Sequence, residues 1–349
     1  MTSGPARAVT LLTLLASLAL AGCSRPEPYS ETMIAFGTLV DVTLYAESPA
    51  QADEALRMIE SDLQYMHETW HPWKPGSLGR MNLLLPTGGW FSAGPSLLPI
   101  IEQSTTLSEQ SEGLFNPAIG QLVALWGFHG EDLPAGPPPP PDEIASLVGQ
   151  APQMADLEID GIRIRSTNAA VKLDFGAFAK GYGVDRVIER LVEMGITDAI
   201  VNAGGDLRAI GRHGDRDWRV GIRDPRGQGV LASLEVSGDE SVFTSGNYER
   251  YFEWDGKRYH HIIDPRTGYP ADDVLSVTVL HESGAVADAA ATALFVAGRE
   301  DWPRIAAGMG VEAVMVIDAD GGIALTPAMA ERIRFESEST PEPQIRPLP

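Results

Sequence analysis

The chain has 349 residues, 44% of them hydrophobic, and a formal net charge of −22. That length and apolar content allow a large buried core, in one large domain or two smaller ones, and exclude a wholly disordered chain. The acidic balance excludes a nucleic-acid or general polyanion binder, so a phosphate ligand must be met locally by a metal ion, a lysine or oriented backbone amides.

Arg7 is the only charged side chain before the leucine-rich apolar run Ala8–Ala21. The run is too short to span a membrane comfortably and ends in Leu20-Ala21-Gly22-Cys23, which resembles the lipobox of bacterial lipoproteins. The resemblance implies a signal peptide over 1–22, acylation of Cys23 and a lipid anchor in the bacterial envelope facing the periplasm. Ser24 in place of Asp points to the outer membrane. Cys23 is the only cysteine, so disulfides within the chain are impossible; the alternative is an ordinary secretory signal and a buried thiol. Residues 23–32 read as a polar, Pro-containing tether.

Met33–Leu44 alternates as one strand with Gly37 inside it, and Ala50–Met66 carries apolar residues at helical spacing. Thr69–Gly76 reads as loop, where Trp70 and Trp73 either stack on a planar ring or cover the core. A helix over Leu97–Ser111 leads through Glu112-Gly113-Leu114-Phe115-Asn116-Pro117 into a second apolar helix reaching Gly127. Residues 133–141 form a polyproline surface excursion, with a domain boundary as the alternative, before a helical Pro141–Leu147. Leu157–Arg165 predicts a hairpin around Asp160-Gly161.

Leu173–Asp185 is the most informative stretch. Val171–Leu173 predicts the end of a buried strand, Gly176 and its alanines a tight turn, and Lys180 to Met194 an amphipathic helix. Such a turn aims unpaired helix N–H groups at the strand's end, where Lys180 adds a cation and Gly176, Gly181 and Gly183 admit a phosphate closely. Asp174 is unfavourable beside an anion unless it holds a base, a hydroxyl or a metal. The competing reading is a capping Asp and a surface Lys on an ordinary α/β unit.

Thr197–Ala203 predicts a buried strand ending in Asn202-Ala203-Gly204-Gly205-Asp206. Trp218–Ile222, Ala232–Val236, Ser241–Thr244, Tyr251–Trp254, Arg258–Ile263, Ser276–Leu280, Val314–Ile317 and Ile323–Leu325 read as strands of a sheet. Ala285–Val296 is a small-residue helix on which Asp288 and Thr292 share one face, a pair that suits Mg²⁺ or, more commonly for an early Asp, a cap. Alternation puts His260 and His261 on opposite faces, which disfavours a paired metal site; one is then a proton acceptor beside a reactive hydroxyl, or both are structural. Residues 337–349 are Pro-rich and charged, a flexible tail. No Gly-x-Ser-x-Gly, Cys-x-x-Cys or His-Glu-x-x-His run occurs, which weighs against ordinary hydrolase and zinc readings.

Several of these pieces, in order, resemble the FAD:protein FMN transferases of ApbE type over residues 33–330. They are Phe36-Gly37-Thr38, Gly113–Pro117 with Leu125-Trp126-Gly127-Phe128, Leu173–Asp185, Asn202–Asp206, Thr244-Ser245-Gly246, His261–Gly268, and Ala287-Asp288 with Thr292. The resemblance implies a mixed α/β (α+β) fold, a single catalytic domain over 33–336 with central mixed sheets flanked by helices. It implies a Mg²⁺-dependent transferase that moves the FMN half of FAD onto a threonine of an exported redox protein and releases AMP. Phe36, Trp70, Phe115, Asn116, Pro117, Asp174, Lys180 and Ile263 match flavin-contacting positions. Ala177 through its carbonyl, Asp288 and Thr292 match metal ligands, and His261 the candidate general base, with Asp264 expected to orient it. Departures are Phe36 for a usual Met, Asn116 for a common Asp, Gly79-Arg80-Met81-Asn82 for Ser-Arg-Phe-Asn, and Ala291 where some relatives carry a carboxylate. The alternatives are a metal-dependent FAD pyrophosphatase giving FMN and AMP, and a non-catalytic flavin-binding lipoprotein.

Overall fold

The computed structural model describes residues 27–130, 132–337 and 340–349. The signal peptide and Cys23 lie outside the described residues.

The first strand is a hairpin rather than a single strand. β1 (Tyr29–Ala35) and β2 (Thr38–Leu44) pair antiparallel with Ala35 opposite Thr38, so Phe36-Gly37 is a two-residue turn with φ of 53° and 75°. Positive φ at both positions is what such a turn needs; the alternation simply continues across it, which hid the reversal. β1 also reaches back into the segment read as tether.

Helix α1 (Pro49–Thr69) starts at Ser48, whose Oγ accepts from the Gln51 N–H at 3.3 Å. A short helix α2 (Ser77–Leu84) follows the tryptophan loop and was not expected. Then come a short strand β3 (Phe91–Ser92), α3 (Leu98–Gln110), α4 (Gly120–Leu125, shorter than expected) and α5 (Pro141–Gly149). The predicted hairpin is β4 (Leu157–Asp160) with β5 (Arg163–Ser166), and β5 pairs with β3. Val171–Leu173 is not a strand end: Lys172 makes one isolated bridge to Ile119, and Asn82 of α2 holds Leu173 from both sides.

Helix α6 (Ala179–Glu193) leads to β6 (Ala199–Ala203) and β7 (Asp206–Gly211). Next are β8 (Trp218–Arg223), β9 (Val230–Val236), β10 (Gly238–Gly246) and the hairpin β11 (Tyr251–Trp254) with β12 (Lys257–His260). β13 (Val274–His281) is followed by α7 (Gly284–Gly308), broken at Gly298, then β14 (Ala313–Asp318), β15 (Ile323–Leu325), α8 (Pro327–Arg332), β16 (Arg334–Phe335) and β17 (Gln344–Ile345). A nine-stranded sheet runs β1-β2-β6-β7-β10-β13-β14-β15-β17, antiparallel except for β15 with β17. The fold is thus mixed α/β, with a central sheet flanked by helices. The tail read as flexible is docked at its end, because β17 satisfies the edge of β15 and Arg346 donates to the carbonyls of Leu325 (2.8 Å) and Arg299 (2.7 Å).

Helices α6 and α7 meet through their first turns, and each is capped by the other. Asp288 of α7 accepts from the Gly181 N–H at 2.9 Å. Asp185 of α6 accepts from the N–H groups of Gly284 (2.8 Å) and Ala285 (3.0 Å), the Ser283 hydroxyl (2.8 Å) and the Arg208 guanidinium (2.7 Å). These bonds fill the donors that helix starts leave orphaned. A Cβ on Gly181 would stand 2.2 Å from the Gly284 carbonyl oxygen, so only glycine permits this crossing. Asp185→Ala would leave the Gly284 and Ala285 N–H groups buried without their acceptor, while Arg208 keeps its pair with Asp239, and is expected to lower unfolding free energy by about 2–5 kcal/mol in urea denaturation. A loss near zero would mean that the cap contributes nothing.

Candidate functional site

The start of α6, the β6–β7 turn, the end of β10 and the early part of α7 converge. Lys180 is ion-paired with Asp206, which is itself buried and accepts from the Thr244 N–H at 2.9 Å. Burial works against the Lys180 charge, but Asp206, Asp288 and Glu249 outweigh it, so the ammonium is held well above its usual range. Asp288 is 5% exposed; burial pushes its carboxyl up to about 7, against the pull of Lys180 and with a further push from Asp206. Thr292, one turn further along, places its Oγ1 3.2 Å from Ser245 Oγ at the end of β10. Ala177 is half-buried in the turn just before α6.

This arrangement corrects the picture of an open phosphate cradle. The Ala179 and Tyr182 N–H groups donate to the carbonyls of Phe175 (2.7 Å) and Phe178 (3.0 Å), and Gly181 donates to Asp288. Three of the first N–H groups are therefore already engaged, two by backbone carbonyls and one by a carboxylate from another helix, and Lys180 is a paired cation rather than a loose one. The cap reading of Asp288 holds with a difference: it caps α6 rather than its own helix, which Ser283 caps.

The two histidines divide as alternation predicts. His260 is 3% exposed, its Nε2 lies 2.6 Å from the Ala271 carbonyl oxygen, and its Nδ1 accepts from the Ile262 N–H at 3.3 Å. Burial pushes it down to about 4, so it is a neutral structural residue at pH 7. His261 is half-buried, with its Nδ1 3.2 Å from the Arg250 carbonyl oxygen and its ring edge-on to Phe128 at 6.4 Å. That carbonyl can only accept, so it selects the Nδ1–H tautomer and leaves Nε2 with a lone pair for a proton. Burial and then His260 hold His261 below the usual imidazole range. Asp264 does not orient it. Its carboxylate takes the Arg266 guanidinium through Nε (2.9 Å) and Nη2 (2.8 Å), a local bidentate pair that occupies both oxygens.

The expected flavin contacts fall into two sets. Phe36, half-buried, stacks parallel to Trp70 at 6.1 Å, and its ring rests on Gly183, where a Cβ would come within 2.8 Å. Trp70 in turn meets Tyr182 edge-on at 5.4 Å and is buried, whereas Trp73 stays half-buried under the Lys172 ammonium, 4.0 Å from its ring centre. Trp70 thus takes the core reading, while Trp73 lies under a lysine ammonium rather than on a planar ring. Asn116 spends its amide on Pro152 O (2.9 Å) and the Ala118 N–H (3.0 Å), and Pro117 O accepts the Asp174 N–H at 2.8 Å. Asp174 Oδ1 accepts from Gly176 N at 2.8 Å, and burial holds its carboxyl above the usual range. Phe115 and Ile263 are core side chains, packed on Phe178 and with Trp126 respectively.

Sequence reasoning missed Asp206, Asn82, Asp185 and Arg250. Asp206 had a signal, an acid closing a strand-end glycine pair, and Asn82 had one as a polar residue in an apolar segment. Asn82 donates to Leu173 O and accepts from Leu173 N, both at 2.8 Å, and so fixes the segment that leads into Asp174. An open cleft of about 530 Å³ is lined by Asn82, Gln121, Leu125 and Lys172. It adjoins Leu173 but includes neither Lys180, His261 nor Asp288.

Comparison with known proteins places these observations. The ApbE family model matches residues 36–315. An FAD:protein FMN transferase of Rhodobacter capsulatus is 46% identical over 345 residues, which cover 96% of this chain and 65% of that protein. One from Treponema pallidum is 37% identical over 298 residues, covering 80% and 81% of the two chains. Among solved structures, an ApbE protein from Thermotoga maritima superposes with a TM-score of 0.79 at 31% identity, over 89% of this chain and 100% of that one. The flavin transferase ApbE from Vibrio cholerae gives 0.75 at 28% identity, over 85% and 96%. The chain spans just under two thirds of the length of the Rhodobacter relative.

His260 yields a prediction about pH. Its folded pKa lies below its unfolded value of 6.5, so its contribution is intact above 6.5 and is lost as pH falls towards 4. The loss approaches about 3 kcal/mol by pH 4, at 1.36 kcal/mol per unit. Urea melts of wild type and His260→Gln between pH 7 and 4 should diverge less as pH falls; parallel curves would remove His260 from the acid response.

Proposed function

The chain belongs to the ApbE family, and we propose that it is an FAD:protein FMN transferase acting on a threonine of an exported redox protein. The observation that carries this reading is that a paired Lys180, a buried Asp288 and an imidazole with a free Nε2 stand around the start of α6. Lys180 acts electrostatically on both Asp288 and His261, which supports reading the three groups as one site.

In the reaction the threonine oxygen bonds to the FMN phosphorus, the bond from that phosphorus to the bridging oxygen breaks, and AMP leaves with that oxygen. His261 Nε2 takes the hydroxyl proton, which a neutral, carbonyl-oriented imidazole can do. In this reading the Lys180 ammonium offsets charge spreading over the phosphoryl oxygens. The half-buried Phe36, stacked on the buried Trp70, offers the flavin an aromatic face, and Asn116, Pro117 and Asp174 supply the second set of contacts. Tyr182 backs Trp70, Phe115 reaches the same core through Phe178, and Ile263 packs separately with Trp126.

Mg²⁺ fits the residues present. The Asp288 carboxylate, the Thr292 hydroxyl and the Ala177 carbonyl are all oxygen donors, the set a hard dication takes while keeping waters. Asp288 is buried with its charge disfavoured, a deficit that a cation offsets. Among the described residues no group of three or more His, Cys, Asp or Glu could hold a metal, and the proposed set does not depend on one. When bound, Mg²⁺ supplies charge stabilisation to the transferring phosphoryl group.

Incubating the protein with FAD, Mg²⁺ and an acceptor carrying Asp-Gly-x-[Ser/Thr]-Gly-Ala-[Ser/Thr] is expected to give acceptor with FMN bonded to threonine, read by mass spectrometry, and one AMP per label. His261→Ala should slow labelling by about 10²–10⁴-fold while FAD binding persists. Free FMN and AMP with unlabelled acceptor would replace this reading by a pyrophosphatase.

The proposed address is the periplasmic face of the envelope, at the outer membrane given Ser24, through an acyl group on Cys23. What supports this address is Leu20-Ala21-Gly22-Cys23 after the apolar run; no helix among the described residues is long and apolar enough to cross a membrane. Cys23→Ala should move the protein from the membrane fraction to the soluble periplasmic extract with its activity retained. An unmodified Cys23 in wild-type protein, seen by mass spectrometry, would overturn the anchor.

A further inference from the structure

We infer that Arg250 is the positioning residue for His261, its carbonyl orienting the ring and its guanidinium fixing where that carbonyl stands. The inference rests on the proposed role of His261 as the base.

In the β11–β12 hairpin Tyr251 pairs with His260, so Arg250 faces His261 at the open end, one step beyond the paired register. There the chain has no further ladder to hold it. The Arg250 carbonyl oxygen accepts the His261 backbone N–H at 3.1 Å and lies 3.2 Å from Nδ1 of the same residue. One oxygen thus fixes both the backbone and the ring. A carbonyl at the end of a hairpin can swing, and beyond the His261 N–H a second restraint on this one comes from its own side chain. The guanidinium Nη2 donates to the Gly130 carbonyl at 2.6 Å. Gly130 lies two residues beyond Phe128, the ring that meets His261 edge-on. The clamp therefore ties the loop that orients Nδ1 to the segment that packs against the imidazole.

The charges around the ring act in the same sense. The charged or titratable groups that face His261 are His260 from its own strand, Arg250 across the hairpin and Lys180 from α6; each opposes a second proton. The Arg250 carbonyl favours the proton on Nδ1, while its guanidinium disfavours the imidazolium. Burial is the largest cause of the low imidazole pKa and the guanidinium adds to it, while the carbonyl, by holding the proton on Nδ1, leaves the lone pair on Nε2. Asp264, the nearest acid in sequence, is held by Arg266 and does not compete for the ring.

The test is ¹⁵N NMR of the imidazoles in the full-length protein, for wild type, Arg250→Gln and Arg250→Lys, with flavin transfer measured on the same samples. Wild-type His261 is expected as the Nδ1–H tautomer. Arg250→Gln should give a mixture of tautomers and a His261 pKa moved upward, with His260 unmoved as the internal control. Arg250→Lys should keep the low pKa but lose part of the tautomer bias, because an ammonium holds the charge without the planar fork. In transfer, Arg250→Gln should lower kcat by about 10–100-fold with little change in KM for FAD, and should move the acid limb of the rate profile to higher pH. An Arg250→Gln protein with wild-type tautomer, pKa and acid limb overturns the proposal. So does one in which His260 shifts as far as His261, since a loosened hairpin would then account for both. A wild type that labels no acceptor, while Arg250→Gln still shifts the His261 tautomer, removes the base reading and leaves the positioning intact.

Discussion

The reciprocal capping of α6 and α7 is the constraint on which the rest of the site depends. Helix starts carry orphan N–H groups, and most helices meet them with a residue of their own. Here α6 has no side-chain cap of its own, and its Gly181 N–H is met by Asp288. The same contact that ends the backbone deficit of α6 buries a carboxylate one residue along from Lys180. Because Gly181 and Gly284 let the backbones touch, the carboxylate cannot retreat, and Lys180 finds a second carboxylate, Asp206, on the β6–β7 turn. A structural need for a cap thereby sets the place of a chemical group.

Helix α7 also fixes the far side of the site. Its regular part runs from Gly284 to the break at Gly298, where φ is 78°, and the sequence pattern of small residues ends just before it at Val296. The Val296 carbonyl accepts from Arg266 Nη2 at 3.0 Å, and the same guanidinium holds Asp264. The turn that follows His261 is thus bolted to one end of a helix whose other end carries Asp288. A second bolt comes from Trp126, whose indole N–H donates to Gly268 O at 2.7 Å. The Arg299 N–H, freed by the break, finds Asp273 at 2.8 Å, which anchors the approach to β13.

Local pattern and pairing at a distance account for what the sequence disclosed. The long helices, the strands of the central sheet and the stretch around Lys180 follow from periodicity and turn residues, which act over a few neighbours. Phe36 hid a turn because a bulky residue at positive φ is uncommon, and its ring is accommodated only because Gly183 lies across from it. Asp185 and Asp206 find partners 99 and 38 residues away, and no periodicity encodes such pairings. The Asp264 error was of the opposite kind. His261 is three residues away, but Arg266 is two away and offers a planar fork, which a carboxylate accepts through both oxygens. The docked tail escaped composition because one short parallel pairing at a sheet edge needs few apolar residues.

Charge completes the argument. The chain carries −22, and at the site Asp206, Asp288 and Glu249 surround the single ammonium of Lys180. An anion approaching this arrangement meets a cation whose charge is already engaged and carboxylates whose charge is not fully offset. A burial that pushes Asp288 up to about 7 expresses the same excess. Cation entry relieves it, and anion entry alone deepens it. For the diphosphate substrate proposed above, a divalent cation entering with or before the nucleotide would offset the charge that the anion adds.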